Sequence, residues 1–221
     1  MSDPRPRAVV VDDHRLLAQS IAISLRQEGV DCEVATLAPP DRLLAAVVAE
    51  RPDVVLLDLD LGRETGDGDG LVAPLTRAGC RVLLVTGCTD PVRLAAALEA
   101  GAVGVLAKTE PVDVLLAAAH AAARGEPVMT DEQERAVRVE AGARHAARAA
   151  ALGPFARLTE REAQVLRRLA HGQSVATIAA RTHVAETTVR TQVRGVLTKL
   201  GVGSQLEAVA LAHHSGWLED R

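Results

Sequence analysis

The sequence predicts an α/β domain with a doubly wound, five-stranded parallel sheet, followed by a small all-α helix-turn-helix domain. Two observations predict this order. Short β-branched runs alternate with stretches of helical period through residues 1–125, whereas residues 158–218 show helical period alone. The length, 221 residues, is enough for two ordinary domains. Hydrophobic residues make up 48% and charged residues 24%, a balance typical of soluble globular proteins.

Five β-α units are predicted in order along the first part of the chain. The strands are predicted at Arg7–Val11, Cys32–Ala35, Val54–Leu57, Val82–Val85 and Val103–Leu106. The helices are predicted at Leu16–Gln27, Asp41–Glu50, Gly70–Ala78, Pro91–Ala100 and Pro111–Arg124. Three strands are almost wholly apolar, as expected of parallel strands that are covered on both faces. Right-handed crossovers then give an open sheet whose reactive site lies beyond the carboxyl ends of the strands.

Chemically active side chains follow four of these strands. They are Asp12 and Asp13 after the first strand, Asp58 and Asp60 after the third, Thr86 after the fourth and Lys108 after the fifth. Clustered carboxylates need a compensating cation, and oxygen ligands at this density suit Mg²⁺. A carboxylate balanced in this way can act as a nucleophile toward a phosphoryl group, with a hydroxyl and an ammonium holding the phosphoryl oxygens. The plain alternative, helix capping, explains one such Asp but not the set.

A helical linker is predicted over Glu126–Ala151, which is rich in Ala, Arg and Glu. Thr130 and Gln133 have the spacing of a capping box, and Gly153-Pro154 ends the helix. Its apolar surface is small, so a solvated, semi-rigid spacer is favoured over a dimerisation helix.

Four short helices are predicted in the last segment. One begins at Thr159, and the others span Ser174–Ala180, Glu186–Leu200 and Ser204–Ser215. The third has an apolar stripe made by Val189, Val193, Val196 and Leu200. Its opposite face has no acidic residue and carries Thr187, Arg190, Thr191, Arg194 and Thr198. This arrangement is typical of a helix-turn-helix: a short helix, a tight turn, and a longer helix whose Arg and Thr side chains point outward. In such a motif the second helix enters the major groove of DNA. An ordinary solvated helix face is the alternative.

Net charge distinguishes the first part of the chain from the second, and composition excludes several classes of protein. Residues 1–127 carry a net charge of −7 and residues 128–221 a net charge of +3. Aromatic residues make up only 1%, which argues against stacking platforms for single-stranded nucleic acid. No apolar run approaches the ~18 residues of a membrane span, and the basic start is too short for a signal peptide. The three cysteines show no metal or disulfide spacing, so we expect a cytosolic, soluble chain that does not enter the membrane.

Two sets of motifs resemble those of a known family. The first part resembles bacterial response-regulator receiver domains, which are flavodoxin-like, in Val9-Val10-Val11-Asp12-Asp13-His14, Leu56-Leu57-Asp58-Leu59, Val85-Thr86 and the run 101–108. The last part resembles the LuxR-type helix-turn-helix in Leu158-Thr159-Glu160-Arg161-Glu162, Thr188-Val189-Arg190-Thr191 and Lys199-Leu200-Gly201-Val202. This order is that of the NarL/FixJ class of transcription regulators. The resemblance predicts a receiver domain at 1–126, a linker at 127–155 and a DNA-binding domain at 156–221.

The resemblance implies a phosphorylation-controlled transcription factor that is not an enzyme. A histidine kinase would donate a phosphoryl group to Asp58, and Thr86 and Lys108 would bond the phosphoryl oxygens. Asp13 and Asp58 would bind Mg²⁺ directly, with Asp12 assisting through water. A homodimer paired through the last helix would bind double-stranded DNA, with RNA polymerase as a further partner. The expected DNA contacts are Thr187, Arg190, Thr191, Arg194 and Lys199.

Departures from the family pattern leave alternatives open. Val105 stands where many receivers carry an aromatic switch residue, and the loop 62–70 is longer than usual and is predicted to be flexible. An atypical receiver that binds DNA without phosphorylation control is therefore the alternative function. Gln192 and Gly195 replace a frequent His and Asn, and Ala185 lacks a capping hydroxyl, typically worth about 1 kcal/mol.

An enzyme is the remaining alternative. Phosphatases of the haloacid dehalogenase type also place an Asp-Leu-Asp run, a Thr and a Lys in this order. Their acidic pair follows the Lys, however, whereas Asp12 and Asp13 precede Lys108, and the helix-turn-helix would be unexplained.

Overall fold

The structure, a computed structural model, describes residues 5–218. It divides into two compact units between Gly142 and Ala143. Within the described range, no helix has both the length and the apolar character needed to cross a membrane.

A parallel sheet of five strands forms the centre of the first unit. The strands are β1 (Arg7–Val11), β2 (Asp31–Val34), β3 (Val54–Leu57), β4 (Arg81–Thr86) and β5 (Ala102–Ala107). Their spatial order is β2-β1-β3-β4-β5, and every neighbouring pair is parallel. The predicted fold class is confirmed. The direction in which strands are added reverses between β1 and β3, which is where doubly wound sheets bind their ligands.

Helices cover both faces of this sheet. They are α1 (Arg15–Gln27), α2 (Pro40–Ala49), α3 (Gly62–Thr65), α4 (Asp69–Arg77), α5 (Pro91–Glu99), α6 (Val112–Arg124) and α7 (Asp131–Leu152). Side chains alternate along a strand. In β1, Val9 and Val11 therefore join the core cluster shared with α2, α4 and α5, whereas Ala8 and Val10 join the cluster shared with α1 and α6.

The segment after β3, predicted to be a loop, contains a short helix. It contains α3, whose Thr65 is 3% exposed and donates a hydrogen bond from Oγ1 to the Ala38 carbonyl oxygen at 3.0 Å. Gly62 and Gly66 flank this helical turn with φ values of +76° and +78°. These glycines provide the positive φ values that two tight turns require.

The first part of the predicted linker packs against the edge strand β5, and we call residues 126–138 the strap. Val128 lies over Gly104, where an added Cβ would come within 2.9 Å of Val128 Cγ1. The Val105 N–H donates to Met129 Sδ at 3.3 Å. Val128 packs on one core cluster, while Met129 and Val137 pack on the other. The prediction of a solvated spacer is therefore wrong for the strap, although the predicted helix and its Thr130 cap are confirmed.

The contact between Gly104 and Val128 can be tested by a pair of substitutions. We expect Gly104→Ala to lower the free energy of unfolding by about 1–2 kcal/mol, because the new methyl group overlaps Val128. Val128→Gly removes the overlapping atoms, so the double variant should be less destabilised than the sum of the single variants. Urea unfolding followed by circular dichroism measures both effects. If the free-energy changes of the two single variants simply add in the double variant, the contact between residues 104 and 128 is contradicted.

The second unit is wholly helical in the described range. A 3₁₀ turn (Gly153–Arg157) precedes α8 (Glu160–Ala170), α9 (Val175–Thr182), α10 (Glu186–Leu200) and α11 (Gln205–His214). The predicted apolar stripe of α10 is buried at all four positions: Val189, Val193, Val196 and Leu200. Trp217 stacks on Phe155 with ring centroids 5.0 Å apart, which packs the turn after α11 against the 3₁₀ turn. The predicted helix-turn-helix arrangement is confirmed.

Candidate functional site

Two buried carboxylates lie side by side at the point where the strand order reverses. Asp12 follows β1 and is 4% exposed, and Asp58 follows β3 and is 2% exposed. The register that pairs Val11 with Leu57 places the two aspartates next to each other. The Asp58 N–H donates to the Val11 carbonyl oxygen at 2.9 Å, which continues the strand pairing into the site.

Lys108 supplies the compensating cation from the end of β5. Its Nζ donates to Asp12 Oδ1 at 2.8 Å and to Asp58 Oδ2 at 2.6 Å. Burial by itself would lower the pKa of Lys108, but the hydrogen bonds to Asp12 and Asp58 outweigh it, so the pKa is raised. The ammonium therefore stays charged and balances the carboxylates.

Thr86 binds the other carboxylate oxygen of Asp58. Its Oγ1 donates to Asp58 Oδ1 at 2.7 Å, and the residue is 1% exposed. The Cys88 N–H donates to the same hydroxyl oxygen at 3.1 Å, which fixes its orientation. A hydroxyl and an ammonium thus lie on the two oxygens of one carboxylate, whereas the sequence predicted them on the oxygens of a phosphoryl group bound there.

Asp13 and His14 complete a group of donors that could hold a metal ion. Ligand atoms of Asp12, Asp13, His14 and Asp58 lie within 4.8 Å of one another. Asp13 Oδ1 is buried and, among the described residues, accepts no hydrogen bond, although His14 Nδ1 is 2.7 Å away without hydrogen-bonding geometry. A buried carboxylate oxygen without a donor, next to two further carboxylates, fits a hard divalent cation.

His14 also borders this site. It directly precedes α1, and its Nδ1 is 3.2 Å from Lys108 Nζ. Its position directly after the acidic pair was the available signal. Asp60, by contrast, was expected in the cluster and does not join it, because its Oδ1 binds Arg93 of α5 at 2.8 Å.

The exposed face of α10 is the second candidate surface. Thr187, Arg190, Thr191 and Arg194 are all exposed on it. Arg190 also forms a 3.3 Å ion pair with Glu186 one turn earlier. The helix begins without a side-chain cap at Ala185, as predicted. The structure therefore presents two arginines and two threonines together on the predicted recognition helix.

Lys199, the fifth residue predicted to contact DNA, has a different environment from the other four. Its Nζ donates to Glu162 Oε2 at 2.6 Å, and its side chain is 31% exposed. Glu162 also accepts hydrogen bonds from the N–H and hydroxyl of Thr159, which begins α8. A Cβ at Gly195 would overlap the Glu162 carboxylate, so glycine at 195 makes room for this ion pair. The sequence motifs did not indicate that Glu162 pairs with Lys199.

Comparison with known proteins finds a family match for each of the two parts of the chain that carry these sites. Residues 8–120 match the response regulator receiver domain, and residues 156–212 match the bacterial regulatory proteins of the luxR family. The chain is 34% identical over 218 residues to the probable transcriptional regulatory protein NarL of Mycobacterium tuberculosis (strain H37Rv), which covers 96% of this chain and 97% of that protein. It is 31% identical to the nitrate/nitrite response regulator protein NarP of Escherichia coli K12, with 93% of each chain covered.

The fold is also that of a solved response regulator. RcsB of Salmonella typhimurium superposes with a TM-score of 0.50 at 22% identity, covering 96% of this chain and all of that chain. A structure of an RcsB–DNA complex gives the same TM-score and identity, with 95% of this chain and 98% of that chain covered. The sequence identity is low enough that this likeness concerns the fold alone.

Proposed function

Because this chain belongs to the response regulators that join a receiver domain to a LuxR-type DNA-binding domain, we propose that it is a transcription factor controlled by phosphorylation of Asp58. A histidine kinase donates the phosphoryl group, and the modification shifts dimerisation and DNA binding. One observation carries this proposal. The Asp58 carboxylate is buried, yet its two oxygens are bound by the Thr86 hydroxyl and the Lys108 ammonium.

The geometry suits transfer of a phosphoryl group to Asp58. An oxygen of the carboxylate bonds to phosphorus while the bond from phosphorus to the kinase breaks, and an acyl phosphate forms. Thr86 and Lys108, which bind the Asp58 carboxylate, would donate hydrogen bonds to the new phosphoryl oxygens. Asp12, Asp13 and Asp58 would hold Mg²⁺, which neutralises phosphoryl charge when bound.

The phosphorylation proposal is tested by mass measurement with an acyl-phosphate mimic. We expect beryllofluoride with Mg²⁺ to shift the wild-type chain toward a dimer in light scattering, because the mimic binds the Asp58 carboxylate. Asp58→Asn lacks that carboxylate and should stay unchanged. If neither protein responds and both bind DNA equally, the regulator works without phosphorylation, which is the alternative function.

The second part of the proposal concerns DNA. Thr187, Arg190, Thr191 and Arg194 are exposed on α10 and would contact phosphates and one or two base edges of double-stranded DNA. Lys199 would contribute only after leaving Glu162. The protein would bind as a homodimer through α11, whose Leu206 is 79% exposed.

We expect Arg194→Gln to weaken binding to a target duplex about tenfold and to reduce the salt slope by about one, because one phosphate contact is lost. Fluorescence anisotropy at several salt concentrations measures both values. Arg63→Gln, which removes the same charge from the exposed part of α3, is the matched control. An equal loss in both variants would contradict a DNA contact by Arg194.

A further inference from the structure

The second half of α7 carries its cationic and imidazole side chains on one face, which we call the basic face and define as Arg144, His145 and Arg148. At 3.6 residues per turn these three positions fall within an arc of about 100°. Every other residue from 143 to 151 is alanine, and the whole stretch is exposed. Solvation alone does not require the cations of a helix to share one face, so this distribution is typical of a surface that meets an anionic partner.

The sign of charge along α7 changes where the two units of the chain divide. Asp131–Glu140 contains four acids and two arginines, whereas residues 141–159 contain three arginines and no acid. The division between the units falls between Gly142 and Ala143. The basic face therefore belongs to the same unit as α10, and the acidic half of the helix belongs to the unit that contains the sheet.

Interactions within the helix do not account for the basic face. In the acidic half, Arg138 forms an ion pair with Glu134, but Arg144 has no hydrogen-bond or ion-pair partner among the residues that the structure describes. The helix dipole stabilises cations in the last turn of a helix, and α7 has no basic residue in its last turn. The Arg144 guanidinium is thus available to an external anion.

The end of α7 is anchored beside α10. The 3₁₀ turn Gly153–Arg157 follows α7 directly, and its Phe155 is 4% exposed and shares a core cluster with Val196 and Leu200 of α10. Arg144 precedes Phe155 by eleven residues, which corresponds to about 16 Å at a rise of about 1.5 Å per residue. That length equals about five base pairs at about 3.4 Å each. The basic face therefore lies within reach of DNA that flanks the segment contacted by α10.

We propose that the basic face binds phosphates of double-stranded DNA next to the segment contacted by α10. The inference rests on the proposed DNA binding through α10. Arg144 and Arg148 donate charge-assisted hydrogen bonds to phosphate oxygens, and the ring N–H of His145 adds a further donor. Phosphate contacts carry no sequence information, so the basic face adds affinity on flanking DNA of any sequence.

The test compares full-length chains on two duplexes by fluorescence anisotropy at several salt concentrations. The short duplex has about 20 base pairs, selected from random sequence by the wild-type chain, and the long duplex extends it by about one helical turn at each end. We expect Arg144→Gln to weaken binding to the long duplex about tenfold and to reduce the salt slope by about one for each bound protomer. On the short duplex the loss should be much smaller. The sequence of the added turns should not matter.

Two further variants separate a DNA contact from a general effect of charge or folding. Arg135→Gln makes the same substitution at an exposed position in the acidic half of α7 and should bind both duplexes like wild type. Arg144→Lys should keep the wild-type salt slope, because an ammonium also neutralises a phosphate.

Wild-type binding of Arg144→Gln to the long duplex would overturn the inference. Equal losses in Arg144→Gln and Arg135→Gln would also overturn it, since the effect would then be one of net charge. A loss on the short duplex as large as that on the long one would place the contact within the selected site and contradict binding to flanking DNA. If the wild-type chain selects and binds no duplex, the proposed function itself is contradicted, which is a separate outcome.

Discussion

Lys108→Met is expected to lower the free energy of unfolding of the first unit by about 3 kcal/mol at pH 7 without Mg²⁺. The reason is the environment of the ammonium. Lys108 binds both Asp12 and Asp58, which are 4% and 2% exposed. Removing the cation leaves two adjacent buried carboxylates without a compensating charge, a costly arrangement in a medium of low dielectric constant.

Urea unfolding followed by circular dichroism measures this loss. We expect Mg²⁺ to restore part of it, because a bound cation replaces the charge of the ammonium. Adding Asp58→Asn to Lys108→Met is the matched control, and it should recover stability by removing one of the two charges. Unchanged unfolding of Lys108→Met would mean that the ion pairs at this site do not stabilise the fold.

The second large effect is expected at Glu162. Glu162→Ala should lower the free energy of unfolding of the second unit by about 2–3 kcal/mol. The substitution removes the capping box of α8, worth about 1 kcal/mol, together with the partner of Lys199.

The stability contributed by Glu162 should also depend on pH. Burial would raise the pKa of Glu162, but the hydrogen bonds from Lys199 and Thr159 outweigh it, so the pKa is lowered from its usual 4.5. A group whose pKa is lower in the folded state stabilises the protein above its unfolded pKa. This contribution should therefore be complete near neutral pH and disappear as the pH falls below 4.5 through the lowered pKa.

Trp217 makes the measurement specific to the second unit. It is the single tryptophan of the chain and stacks on Phe155, so its fluorescence reports unfolding of that unit. Glu160→Ala, an exposed acid in the same helical turn, is the control and should change stability by less than about 0.5 kcal/mol. Equal effects of the two substitutions would contradict the role of Glu162.

The sequence predicted the carboxylate cluster because its position depends on local information. Asp12, Asp58 and Lys108 each follow an apolar strand, and parallel strands bring their carboxyl ends to one edge. The pairings that were missed depend on distant partners. Arg93 lies 33 residues from Asp60, and Lys199 lies 37 residues from Glu162. Nothing in the spacing of these residues indicates that they meet.

The strap was missed for a different reason. Its apolar residues, Val128, Met129 and Val137, are too few and too scattered to form a helical stripe. They nevertheless pack because Gly104 leaves room on the edge strand and Val105 offers an N–H. The room for Val128 is thus made by a glycine in another element, which a pattern within the strap cannot reveal.

The two edges of the sheet are protected from aggregation by different means. An open edge strand is a template for pairing with another chain, and charged side chains reduce that risk. At β2 the exposed acids Asp31 and Glu33 serve this purpose. The β5 strand has no charged residue and is covered instead by the strap. We therefore expect loosening of the strap to promote self-association of still-folded molecules, which would make this segment a determinant of colloidal stability as well as a connection between the two units.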